Sequence, residues 1–281
     1  MLLSEMFQNF YENAEIYNAP GTLRYYRDTY RVLLKRFGDI DSSLITKKMI
    51  VSFIKDCQQI LSNNTINKRI AFLKSMYRYN ELTSDFLTMK KLKEKFVTFG
   101  YISESTLIKV YNEVFPFLNL QAKLIIMLLL DTGCRANELV NIKVENIDLE
   151  NRCILLLKTK TGNPRSVYFS KSTAVVLKNF LKNGSNEFLF YNPKTKSHIN
   201  VGALESLFAR IRKKYNLKNF SPHRLRHTLS TNLYANGGDL LFIMSIMGHT
   251  NMNTTKRYIH ENKELNLKLY DKFKINIKKS P

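Results

Sequence analysis

Apolar side chains recur at steps of three and four along residues 22–37, TLRYYRDTYRVLLKRF, with Leu23, Tyr26, Tyr30, Leu33 and Phe37 on one face. That period predicts an amphipathic helix, with Thr22 placed to cap it and Gly38 to end it. A second helix is expected over 47–60 behind Thr46, and a third over 65–80, starting from Asn64 or Thr65. The third turns Ile66, Ile70, Leu73 and Tyr77 inward, which puts Asn67, Lys74 and Arg78 on an outer face. A short helix over 4–11 would complete a small bundle.

Beyond residue 100 the pattern mixes periods. Residues 121–130 are apolar all round, as a buried helix is, and stop at Asp131-Thr132-Gly133. Residues 151–168 predict a hairpin: CILLLK, a tip containing Thr-Gly-Asn-Pro, then RSVYF. Helices are expected over 172–182 and 202–215, with a strand EFLFY at 187–191 between them. LLFIMSIM forms a further helix that Gly248 terminates. The fold class is therefore mainly α with a small antiparallel sheet in the C-terminal part. Three segments are expected: a helical domain over 1–88, a basic linker over 89–102, and a larger domain over 103–281 with a tail from 262. The stretch MKKLKEKFVTF at 89–99 suits a phosphate backbone and plain solvent equally well.

Charge narrows the partner. Lys+Arg number 44 against 23 Asp+Glu, a formal +21 over 281 residues. Such a surplus repels itself in the folded state and favours a polyanion, with nucleic acid first and an anionic membrane second. The longest apolar run, LIIMLLL at 124–130, is far too short to span a bilayer. MLLSEMFQNF carries an early acid and no basic n-region, so no signal peptide is expected. Three cysteines without metal-ligand spacing suit a reducing cytoplasm, the expected location.

Candidate chemistry gathers at SPHRLRHTLST, residues 221–231. Ser221 can cap a helix and Pro222 suits its first turn. His223, Arg226 and His227 then fall at i, i+3 and i+4, beside free N–H groups and the positive end of the helix dipole. A guanidinium fork matches two phosphate oxygens, and a histidine alongside can move a proton near neutral pH. In TGCRANEL, residues 132–139, Arg135 stands three residues before Glu138, a spacing at which the carboxylate can hold the arginine. Lys160 lies at the hairpin tip, with Lys158 on the same strand face. His249 follows Gly248 at a helix corner, and Tyr258 follows on a short helix. Taken singly, a surface ion pair, a solvated basic turn and one packed tyrosine among fifteen explain the last groups more simply.

In this order the pieces resemble the tyrosine recombinase (integrase) family over most of residues 100–265. His-x-Leu-Arg-His at 223–227 matches completely. Thr-Gly-x-Arg-x-x-Glu-Leu at 132–139 is nearly as specific, and Gly-His at 248–249 with Thr-x-x-Tyr at 255–258 closes the pattern. The resemblance implies a two-domain, short Xer-like architecture whose helical part is a core DNA-binding, SAM-like domain. It implies that Arg135 and Arg226 grip the scissile phosphate of double-stranded DNA and that Tyr258 attacks phosphorus. Lys160 would protonate the leaving hydroxyl, His223 assist proton transfer, His249 hydrogen-bond the phosphate, and Glu138 and His227 brace the site. It further implies a homo-tetramer on DNA, joined in some systems by a second recombinase or a DNA-bending protein, and neither metal nor other cofactor. Met247 stands where the family usually has Leu. Asn67, Lys74 and Arg78 are the expected DNA contacts of the helical domain.

Rival readings are a zinc site on His223, His227 and His249, a type IB topoisomerase, and a catalytically inert DNA-binding protein derived from a recombinase. The zinc reading lacks the glutamate of an H-E-x-x-H motif, and Arg224 and Arg226 would repel the cation.

Overall fold

The structure, a computed structural model, describes residues 1–94, 100–157, 159, 163–182, 184 and 186–248. The chain divides into two compact units, Met1–Val97 and Thr98–Pro281. The boundary falls inside the segment read from the sequence as a linker.

Among the described residues the first unit has four α-helices: α1 (Leu3–Tyr17), α2 (Pro20–Phe37), α3 (Lys47–Gln58) and α4 (Asn63–Tyr79). The period-3.6 rows predict their inner faces: Leu33, Ile50, Ile66, Leu73, Met76 and Tyr77 are all fully buried. Each such side chain contributes about 1.5–3 kcal/mol relative to exposure. Tyr77 satisfies its buried hydroxyl by donating to the Ser42 carbonyl at 2.6 Å. Thr46 caps α3 as expected, accepting from the Met49 N–H, and Gly38 ends α2 at φ +76°.

The boundaries differ in three places. The first helix runs from Leu3 to Tyr17, well past residue 11. The second starts at Pro20, whose missing N–H costs nothing in a first turn, so Thr22 lies inside the helix rather than at its cap. The third is capped by Ser62, whose Oγ accepts from the Thr65 N–H.

A larger correction concerns the outer face of α4. Arg78 is exposed, but Asn67 is 8% exposed and Lys74 is partly buried. Both side chains hold the segment that follows the helix. Asn67 Nδ2 donates to the Leu92 carbonyl at 2.9 Å while its Oδ1 accepts from the Leu92 N–H at 2.8 Å. Lys74 Nζ donates to the carbonyls of Leu87 and Met89 at 2.8 and 2.7 Å. Asn63 adds a bond to the Lys93 carbonyl. Residues 85–93 are thus strapped to α4, and the strap leaves Lys90, Lys91 and Lys93 exposed.

The second unit begins with α5 (Glu104–Lys109), α6 (Leu120–Thr132) and α7 (Ala136–Val140). β1 (Ile147–Asp148), β2 (Cys153–Leu156) and β3 (Arg165–Tyr168) follow as a three-stranded antiparallel sheet in that order. The β2–β3 register pairs Cys153 with Tyr168 and Leu156 with Arg165. Then come α8 (Lys171–Lys182), β4 (Tyr191–Asn192), β5 (Ser197–His198), α9 (Val201–Tyr215), α10 (Pro222–Ala235) and α11 (Leu240–Met247). The expected strand over 187–191 is mostly irregular. Only Tyr191 enters β4, while Phe188 makes a single bridge to Lys143.

Buried α6 forms the centre, with Leu124, Leu128 and Leu129 inaccessible, and α8 and α10 pack along it. Val167, Leu177, Phe208, Phe220 and Leu225 fill the surrounding core. Among the described residues no helix is long and apolar enough to cross a membrane.

Candidate active site

The end of α6 sets the first catalytic candidate in place. Gly133 turns the chain at φ +59°, and an added Cβ there would lie 2.6 Å from Met247 Cε and 2.9 Å from Leu229 Cδ2. Glycine is therefore favoured by backbone sign, and a side chain there would also have to displace the tips of Met247 and Leu229. The turn delivers Arg135 to the N-cap of α7, where its backbone N–H donates to Glu138 Oε2 at 2.7 Å. Arg135 Nη1 also meets Glu138 Oε1 at 3.0 Å, the ion pair expected from their spacing.

Glu138 is almost inaccessible and carries a second, tighter partner. Arg165, the first residue of β3, sends Nη1 and Nη2 to the two Glu138 oxygens at 2.9 and 2.7 Å. Burial pushes the Glu138 carboxyl up. Hydrogen bonds from Arg165 and from the Arg135 backbone and side chain outweigh burial and hold it below the ordinary carboxylate range.

α10 supplies the second half. Ser221 Oγ accepts from the Arg224 N–H and Pro222 occupies the first turn, as the sequence predicts. Thr228, one turn beyond Arg224, accepts the Ile102 N–H and ties the start of the unit to this helix. Arg226 is 4% exposed. Its Nη1 donates to the Gly133 carbonyl at 2.5 Å and its Nη2 to the Met247 carbonyl.

His223 and His227 stand edge to face with Nε2 atoms 2.9 Å apart, so one ring donates and the other accepts. His223 is exposed at the site. Desolvation by the surrounding atoms, then the positive charges of Arg226, Arg224 and Arg135, lower its pKa from the ordinary 6.5. Both causes favour the neutral ring, the form that can accept a proton. Its half-titration point, followed by NMR on the ring C–H resonance, is expected below 6.5. A value above 6.5 would contradict this electrostatic account.

Arg135, His223 and Arg226 line one cleft of about 770 Å³, with Ser221 at its edge and α9 along one wall. Glu138 and His227 are not part of the cleft lining and contact Arg135 and His223 respectively. Lys158, Lys160, His249, Tyr258 and the tail from 262 lie outside the described residues. Among the described residues no group of three or more His, Cys, Asp or Glu is arranged to hold a metal ion.

Arg165 is the residue that sequence reasoning missed, because it read only as the start of a strand. A signal was present: Arg165, Val167 and Phe169 alternate on one face, and the latter two are buried. An arginine at the head of a buried row needs an anionic partner.

The sequence model of the phage integrase family matches residues 103–264, more than half of the chain and the whole of this cleft. The chain belongs to that family. It is 26% identical over 288 residues to a probable integrase/recombinase of Acholeplasma phage L2, covering 97% of this chain and 98% of that one. It is 26% identical over 284 residues to the tyrosine recombinase XerC of Lactobacillus delbrueckii subsp. bulgaricus, covering 92% and 94% of the two chains. Among solved structures its fold resembles that of the Tn1549 transposon integrase, residues 82–397, at a TM-score of 0.76 and 19% identity, covering 98% of this chain and 100% of that chain.

Proposed function

We propose that this protein is a site-specific DNA recombinase that cleaves and rejoins double-stranded DNA through a 3′-phosphotyrosyl intermediate. The observation that carries the reading is the convergence of Arg135, His223 and buried Arg226 on one cleft at the N-terminus of α10. Two guanidiniums and a helix N-terminus suit a phosphodiester whose negative charge grows in the transition state. Relatives and fold neighbours support the same class: the XerC relative is a tyrosine recombinase, and the Tn1549 integrase was solved with circular intermediate DNA.

In the proposed reaction Tyr258 Oη attacks phosphorus, the P–O5′ bond breaks, and the phosphate stays linked to the tyrosine. A free phenol is only about 0.1% ionised at pH 7, so its proton needs an acceptor. Neutral His223 suits that role. The departing 5′-oxygen takes a proton from Lys160, with Lys158 as the neighbouring alternative, and His249 donates to the phosphate. The link conserves the energy of the broken bond, so rejoining needs neither ATP nor metal. Strand exchange proceeds through a Holliday junction in a homo-tetramer and serves integration and excision or dimer resolution. DNA contacts of the first unit come from exposed Arg78 and from the strap lysines 90, 91 and 93, with Asn67 and Lys74 fixing the strap.

The test is recombination in EDTA without nucleotide, using a supercoiled plasmid with two copies of the DNA flanking the gene. Product plasmids of altered size are expected. Tight binding to the verified site without cleavage would instead favour the inert DNA-binding reading.

A further inference from the structure

The last carbonyls of a helix have no partner within it, and cations are favoured there. At the end of α11 three consecutive carbonyls are each taken by a different arginine. Arg165 Nε donates to Ile246 at 3.0 Å, Arg226 Nη2 to Met247, and Arg135 Nη2 to Gly248 at 3.1 Å. The chain then continues into the segment bearing His249 and Tyr258.

Two of these arginines have another task, because Arg135 and Arg226 line the cleft. A phosphate bound there competes with the carbonyls for their N–H groups. Arg165 is not part of the cleft lining, and its guanidinium is fixed from behind by both oxygens of Glu138. It also abuts Gly248: a Cβ added there would lie 2.8–3.0 Å from guanidinium atoms of Arg165, at a φ of +60°.

We infer that Arg165 is a positioning residue, which with Glu138 holds the end of α11 in place while Arg135 and Arg226 turn to phosphate, and so aims the segment that carries the nucleophile. This rests on the proposed role of Tyr258. Lysine at 165 keeps a positive charge but has all its donors on one nitrogen, without the planar fork whose Nε, Nη1 and Nη2 here reach the Ile246 carbonyl and the two Glu138 oxygens.

The experiment compares wild type, Arg165→Lys and Tyr258→Phe on a nicked suicide duplex, measuring DNA affinity and the rate of covalent adduct formation. A parallel duplex carries sulfur at the bridging 5′ position, where P–S cleavage releases a thiolate that needs no proton. With Arg165→Lys the affinity is expected within about twofold of wild type and the rate about 10- to 100-fold lower, the scale of a misaimed reacting group. The defect persists on the sulfur substrate, because aiming the nucleophile does not depend on the leaving group. A wild-type rate would overturn the inference. So would a defect that sulfur abolishes, which would make Arg165 a support for the acid on its own hairpin. If Arg165→Lys fails to fold by circular dichroism, Gly248→Ala perturbs the same contact from the other side. That variant should bind DNA and cleave slowly, and normal cleavage by it would also overturn the inference. Failure of the function itself looks different: wild type forms no adduct, or Tyr258→Phe forms one as well.

Discussion

Arg226→Ala is expected to lower the rate of DNA cleavage by at least about 100- to 1000-fold, the cost of losing one charge-stabilising donor from a preorganised site. Two features set the size of the effect. The guanidinium is buried, so water cannot replace it at the phosphate. It also links the end of α6, through the Gly133 carbonyl, to the end of α11, through the Met247 carbonyl. Losing it leaves both carbonyls short of a donor, at about 1–3 kcal/mol for each that stays unsatisfied. Arg226→Lys separates the two contributions. It keeps the charge but cannot reach two carbonyls and two phosphate oxygens, so folding should recover more than cleavage does. Single-turnover cleavage beside urea denaturation checks both. Cleavage at wild-type rate in the alanine variant would remove Arg226 from the chemistry.

Glu138→Ala is expected to destabilise the protein by about 3–5 kcal/mol, because removing one partner of a buried ion pair leaves the other charge uncompensated. Here one carboxylate answers two guanidiniums, Arg135 and Arg165. Its loss therefore frees two like charges close to Arg226. The pH dependence follows from the direction of the shift. The Glu138 carboxyl lies lower in the folded protein than in the unfolded chain. Its contribution is present above the unfolded value of about 4.3 and is lost as pH falls through the folded value. Glu138→Gln should remove that part of the acid limb while keeping the side-chain volume. Because the chain has no tryptophan, circular dichroism rather than tryptophan fluorescence follows unfolding. An unchanged acid limb in Glu138→Gln would contradict the assignment.

Much of this was legible in local patterns. The rows that bury Leu33, Ile66 and Leu73 are set by one helical period each. The Ser221 cap and the glycine stops at 133 and 248 are set by one residue's conformational preference. The His223–His227 pair and the Arg135–Glu138 pair were legible because i,i+3 and i,i+4 spacing brings side chains together wherever a turn of helix forms. What stayed hidden depends on long-range contact. Arg165 meets Glu138 from 27 residues away and Ile246 from 81. Asn67 looked outward because its own helix has a full apolar row without it, and only the returning strap, 25 residues on, gives its amide a buried partner. The 187–191 run, EFLFY, has the composition of a buried strand, but its backbone partners are split between two places: Glu187 and Leu189 bond to Val144 and Ile142, and Phe190 and Tyr191 meet the β5 side, so no continuous ladder forms.

The central claim is that Tyr258 becomes joined to DNA. The most direct measurement incubates the protein with a nicked suicide duplex bearing its site, in EDTA, and maps any SDS-resistant adduct by peptide mass spectrometry. The account predicts an adduct in wild type, a phosphodiester on the Tyr258 peptide, a free 5′-hydroxyl on the released strand, and no adduct from a Tyr258→Phe protein that still binds. An adduct on another residue, or one that survives in Tyr258→Phe, would contradict it.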